Sequence, residues 1–229
     1  MTKVFCKLSN SFVKKIDKKL FYSLEKYLIE SGLGTDKDSF DIIKDRIKNP
    51  PKLSPEEFVF EVFYVILASG FKQKIAKEKF LLIKNFICKG SKVCPENLLK
   101  IFGNKNKINA ICKIWENKEK YCKQFYSLSD TDDKICMLST LPYIGEITKN
   151  HIARNLGINK VKYDVWIQRL GIALYGNDKD KENSLISKNV KNSCDKMFKD
   201  IALATNEPIG YIDVVLWKSC QIGILKFEK

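Results

Sequence analysis

Paired cysteines, arginine, histidine and long apolar runs are what this 229-residue sequence has least of. Its cysteines are Cys6, Cys88, Cys94, Cys112, Cys122, Cys136, Cys194 and Cys220, with no CxxC pair and no spacing under six. Ligands that scattered fit neither a zinc knuckle nor an iron–sulfur cluster, so no structural metal and no disulfide is expected. No apolar run approaches the roughly 18 residues that a membrane span requires. The longest, around Val62–Gly70, gives way to Lys72 and Lys74. The opening Met-Thr-Lys-Val-Phe-Cys lacks the apolar stretch and small-residue cleavage site of a secretory leader. The expectation is a soluble intracellular protein, of cytoplasm and nucleoid or of the nucleus, with reduced and mostly buried thiols.

Positive charge, by contrast, is plentiful. Lys and Arg number 41 against 27 Asp and Glu, a net charge of +14, yet only Arg46, Arg154 and Arg169 are arginines. Such a surplus suits a polyanionic partner, because every neutralised phosphate releases condensed counterions. A Lys-, Asn- and Ile-heavy chain also follows from an AT-rich genome, in which case the lysines only solvate the surface. Hydrophobic residues at 45% and aromatics at 11% supply a real core and exclude disorder of the whole chain. The length allows one large domain or two small lobes.

The apolar spacing is helical almost throughout. Phe12, Val13, Ile16, Leu20, Leu24, Tyr27 and Leu28 recur at threes and fours, and Gly32 and Gly34 close that element. After the breaker Lys48-Asn49-Pro50-Pro51, the run Ser54-Pro55-Glu56-Glu57 opens a helix over about 55–69 with a capping box. Nearly all apolar, that helix is expected to be the central buried one. Further helices are predicted over 74–87, 95–101, 106–121, 146–156, 164–174, 183–198 and 211–222, with a charged turn at 177–182. No strand pair with hairpin turn chemistry and no internal repeat is seen. The reading is an all-α bundle of about ten helices.

One segment carries most of the functional information. Leu141-Pro142-Tyr143-Ile144-Gly145-Glu146-Ile147-Thr148 is a tight glycine-containing turn between two short helices. Exposed amides and helix N-termini of that kind bind phosphate without reading sequence. Nineteen positions after Gly145 comes Asp164, in Lys162-Tyr163-Asp164-Val165-Trp166-Ile167-Gln168-Arg169-Leu170. This order resembles the helix-hairpin-helix DNA glycosylase superfamily, the endonuclease III-like enzymes. Their hairpin reads Leu-Pro-Gly-(Val/Ile)-Gly-x-x-Thr-Ala and is followed by an essential aspartate, with an apolar residue three on and an arginine five on. Asp164, Ile167 and Arg169 fill those places. Two more pieces are similar in order and spacing: Phe60–Phe71, like the family's apolar helix, and Ile101-Phe102-Gly103 with Asn106-Lys107, like its Asn-Lys-Ala helix opening. Val214–Trp217 with Cys220 falls where cluster-bearing relatives have a cysteine-containing helix. The resemblance covers about residues 55–222 and implies a two-lobed all-α fold with the hairpin, about 138–157, at the cleft between lobes. Residues 1–54 are expected to form a helical segment packing on the glycosylase-like region 55–229.

The chemistry implied is hydrolysis of the N-glycosidic bond to a damaged, mispaired or modified base flipped out of duplex DNA. Asp164 is the expected catalytic carboxylate, stabilising an oxocarbenium-like sugar and activating water. It also suits the N-cap of the following helix. Relatives with lyase activity carry a Schiff-base lysine two residues after the second hairpin glycine, where this chain has Ile147. The resemblance therefore implies a monofunctional enzyme, with Lys149 or Lys162 as the nucleophile if a lyase step exists. DNA contact is expected from Leu141, Pro142, Tyr143, Ile144, Gly145, Thr148 and Lys149, extended by Asn150 and Arg154. Phe71 stands at the family's base-flipping glutamine and is the expected wedge, with Gln73 the alternative. The glutamate of adenine-mismatch enzymes is replaced by Ile66, which disfavours their route. Tyr143 replaces the first hairpin glycine and puts the hairpin's backbone conformation in question. His151, the sole histidine, is expected to pack rather than catalyse. No cofactor is expected beyond a monovalent cation on hairpin carbonyls, and the iron–sulfur cluster is absent because only Cys220 remains of its ligands. The expected partner is duplex DNA, bound by a monomer. Two competing readings stay open: a DNA-binding protein that kept the hairpin without the chemistry, and an unrelated helical interaction protein.

Overall fold

The computed structural model describes residues 13–32, 37–176 and 188–227. Phe12, Gly34, Cys6, the turn expected at 177–182 and the start of the helix expected at 183 lie outside them. The described residues form twelve α-helices and no strand. In chain order these are α1 (Lys18–Glu30), α2 (Lys37–Lys48), α3 (Pro55–Ala68), α4 (Gln73–Cys88), α5 (Pro95–Leu98), α6 (Lys105–Glu116), α7 (Lys118–Ser127), α8 (Thr131–Ser139), α9 (Glu146–Asn155), α10 (Val165–Tyr175), α11 (Lys188–Thr205) and α12 (Ile209–Gln221). None is long and apolar enough to cross a membrane.

They belong to two compact units, one made of residues 50–158 and the other of 1–49 together with 159–229. The division differs from the sequence partition at residue 54. Among the described residues, Phe21, Leu24, Leu28 and Phe40 are buried in one cluster with Met197, Ile212 and Val215.

In the 50–158 unit, α3 is the central helix, packed by α4, α6, α7 and α9. Ser54 and Glu57 close the capping box that starts it. Ser54 Oγ accepts from Glu57 N–H (3.3 Å), and the Glu57 carboxylate accepts from Ser54 N–H (2.9 Å). Eight of its side chains, from Phe58 to Leu67, are buried. Gly70 ends the helix in the left-handed region (φ 72°), which side chains disfavour. In the other unit α12 packs on α1, α2, α10 and α11.

Several boundaries differ from the sequence reading. The helix expected over 106–121 is two helices, because Asn117 breaks it and its Nδ2 turns back to donate to Lys113 O. The helix expected to stop at 198 continues to Thr205, carrying Ile201 into the core. The first helix starts at Lys18, where Asp17 Oδ1 accepts from Leu20 N–H (2.7 Å). Helix α2 had no forecast of its own, though Phe40, Ile43 and Ile47 keep helical spacing.

Candidate active site and nucleic-acid interface

The hairpin links α8 to α9 inside the 50–158 unit, and those two helices pack together. Leu141 is buried in that unit's core, so it anchors the turn instead of presenting itself to a ligand. Tyr143 has φ 69°, the left-handed conformation that glycine favours. The tyrosine therefore keeps the backbone path that a glycine at this position would take, and the residue is 45% exposed. Ile144 N–H donates to Leu141 O (3.2 Å). Gly145 N–H donates to Thr148 Oγ1 (2.8 Å), so the threonine closes the turn onto the helix start. The first-turn amides of Glu146 and Ile147 have no acceptor within a helix, as at every helix N-terminus. A phosphate oxygen suits them, since the macrodipole adds positive potential there.

Lys149 lies on α9 with its Nζ 2.8 Å from Glu146 Oε1. That pair offsets the one acidic group at the hairpin. Asn150 Nδ2 also turns inward, to Glu146 O (3.3 Å). Arg154 departs from its expected role: it is buried, near Tyr64, and does not extend a phosphate-binding surface. Asn155 beside it reaches Glu61 Oε2 (3.3 Å). His151 packs edge-on against Tyr64, with ring centroids 6.3 Å apart.

At the end of α3, Phe71 is 41% exposed and meets Phe102 edge-on at 5.2 Å, so it is not a core residue. Gln73 opens α4 close to the Tyr64 side chain.

Asp164 belongs to the other unit. Its Oδ1 accepts from Trp166 N–H (3.0 Å) and Ile167 N–H (3.3 Å), which makes it the N-cap of α10. Its Oδ2 lies 3.2 Å from Lys162 Nζ, and the side chain is 13% exposed. Lys162 Nζ in turn stands 5.3 Å from the centre of the Trp217 ring, and Lys162 N–H donates to Asp213 Oδ2 (3.0 Å). The carboxylate is thus held by two amides and one ammonium, all within three residues of it in sequence. Cys220 is a buried thiol pushed well above its usual range, first by burial and then by the Asp164 charge. Among the described residues no three His, Cys, Asp or Glu side chains gather as a metal site requires.

No family model and no curated protein sequence matches the chain. Solved structures do. The 8-oxoguanine DNA glycosylase of Thermotoga maritima is similar at 17% identity and a TM-score of 0.61, over 92% of this chain and 99% of that one. That of Methanocaldococcus jannaschii is similar at 19% identity and a TM-score of 0.64, over 91% and 97%. The 8-oxoguanine glycosylase/lyase of the same organism, in complex with 15mer DNA containing 8-oxoguanine, gives 22% identity and 0.62, over 92% and 100%. The chain shares their fold. The all-α helix-hairpin-helix architecture expected from the sequence is borne out across both units. Sequence reasoning did not assign two of the residues that shape these surfaces. Trp217 is visible only through Lys162 across the unit. Lys107 left a trace, a charged residue on the apolar face that Ile108, Ile111 and Ile114 define.

Proposed function

We propose that this protein is a DNA base-excision glycosylase, with Asp164 as its catalytic carboxylate. The observation that carries the reading is a buried-edge carboxylate, oriented by two backbone donors and Lys162, in a chain with the fold of 8-oxoguanine DNA glycosylases. Orientation matters here because preorganised charge acts on a transition state at no reorganisation cost. The hairpin amides and nearby lysines would fix the phosphate backbone, and Phe71 would fill the gap left by the extruded base. A water, aligned by Asp164, attacks the anomeric carbon. The bond from that carbon to the base nitrogen breaks, its electron pair leaves with the base, and the base takes a proton. Free base and an abasic sugar result. The structural neighbours are 8-oxoguanine glycosylases, which makes 8-oxoguanine the first base to test. DNA as substrate implies action inside the cell.

Ile147 at the hairpin supports a monofunctional enzyme. A second reading, with a lyase step, is favoured by Lys162, whose amine stands beside the carboxylate at 3.2 Å, and one neighbour is a glycosylase/lyase. Lys149 is the other candidate nucleophile, with its amine at Glu146 rather than at Asp164. The test is a panel of duplexes, each with one lesion or mismatch and 8-oxoguanine first. Breaks seen only after alkali, and lost in Asp164→Asn, support the monofunctional enzyme. Breaks without alkali, with a borohydride-trapped adduct lost in Lys162→Ala, support the lyase. No breakage on any duplex, alongside salt-sensitive binding, leaves a DNA-binding protein without the chemistry.

A further inference from the structure

One buried cation takes no part in the chemistry above. Lys107 sits in the first turn of α6 and is 1% exposed. Its Nζ donates to Leu67 O (3.2 Å) and to Ser69 O, carbonyls freed at the C-terminal end of α3. Three rings approach the same ammonium: Phe71 with its centroid at 4.4 Å, Tyr143 at 5.7 Å and Phe102 at 5.9 Å. Carbonyl dipoles and ring faces meet this charge, both of which attract a cation. Phe102 is buried, whereas Phe71 and Tyr143 are half exposed. The exposed pair comes from two separate segments, the α3–α4 turn and the hairpin, and Lys107 is the atom group common to both.

We propose that Lys107 is a positioning residue that ties the α3–α4 turn to the hairpin, so that Phe71 and Tyr143 enter the base stack of duplex DNA as one two-ring element. The inference rests on the glycosylase reading. A single ring fills the space of an extruded base, and a second gives the neighbouring base a stacking surface that no particular sequence is needed to fit. The left-handed Tyr143 backbone has a role on this view, since it carries the ring at the place where glycine would leave none. A lysine acting only as a cap on α3 would also satisfy the Leu67 and Ser69 carbonyls. It would leave the two exposed rings independent of one another.

The test uses a duplex with a tetrahydrofuran abasic analogue flanked by 2-aminopurine, and an intact duplex as control. Binding is followed by anisotropy, and base unstacking by 2-aminopurine emission at saturating protein. Wild type should prefer the abasic duplex and change its emission. Phe71→Leu and Tyr143→Leu should each remove at least half of that change, and the double variant little more than either single. Lys107→Met should lose as much as the Phe71 variant, and Lys107→Arg should recover part of it. Full emission change in a folded Lys107→Met overturns the inference, and so do strictly additive losses in the two leucine variants. If Lys107→Met fails to fold, the leucine variants decide alone, non-additive losses supporting the coupling and additive ones overturning it. Wild type that binds both duplexes equally, with no emission change, overturns the glycosylase reading itself and this inference with it.

Discussion

Two lysines divide the molecule's chemistry between its units. Lys162 is partly exposed and faces the Asp164 carboxylate, two residues away in the chain. Lys107 is fully enclosed and faces carbonyls 38 and 40 residues away, with rings from two further segments above it. The first builds a local charged group of defined orientation. The second spends a buried charge on holding distant segments together. A site of local contacts can therefore be read from adjacent letters, whereas a tertiary one is written only in the packing.

The largest effect expected from breaking this arrangement lies on the carboxylate. Asp164→Asn retains a side-chain oxygen for the α10 cap, so folding should persist while single-turnover base release falls on the order of a hundred- to a thousand-fold. Unchanged turnover would remove Asp164 from the mechanism. Next is Lys107→Met. Leaving the Leu67 and Ser69 carbonyls without their buried donor should cost about 1–3 kcal/mol in urea unfolding. Asp164→Ala removes the cap as well as the charge, at about 1 kcal/mol, and comparison with Asp164→Asn separates the two roles by thermal melting.

The pH dependence sharpens the contrast further. Burial pushes the Lys107 ammonium down to about 8 from its ordinary 10.5. Between those values the unfolded chain binds more protons at this position than the folded one, so its contribution to stability rises with pH. The penalty for burying the charged form is present in full below about 8 and relieved as pH climbs towards 10.5. The stability difference between wild type and Lys107→Met should therefore widen from pH 7 to 10. A constant gap would show that the carbonyls and rings hold the ammonium at its ordinary value. The smallest effect is expected at Lys149→Ala, since the pair with the exposed Glu146 should contribute no more than about 0.5 kcal/mol and less in high salt.

The sequence disclosed what depends on spacing. Ser54 with Glu57 announced α3, the Leu141–Gly145 turn announced the hairpin, and Asp164 preceded an apolar helix at the right distance. What it hid depends on three dimensions. Arg154 follows the hairpin at a spacing that suggests further phosphate contacts, yet α9 turns it towards the Glu61 and Tyr64 side of α3, where it is buried. Tyr143 was a puzzle because side-chain identity says little about φ when neighbouring packing holds the backbone. Phe71 follows directly on an apolar helix, which spacing alone cannot distinguish from core, and its half exposure above Phe102 takes it out of the core. The division into units was hidden too, because the contact between Tyr211 and Glu25 spans 186 residues.

That interleaving orders events during synthesis. Residues 50–158 are continuous, so every partner of α3 has been translated once α9 is made, and the hairpin surface can mature early on local contacts. The unit that holds Asp164 must wait for α12, whose Tyr211 reaches back to Glu25 on α1. Until then the apolar faces of α1 and α2 lack the helix that covers them, a state open to chaperones and to aggregation. A nascent chain therefore acquires the surface proposed to hold DNA before it acquires a supported carboxylate, and on that proposal a product stopped short of Ile209 would bind DNA without releasing a base.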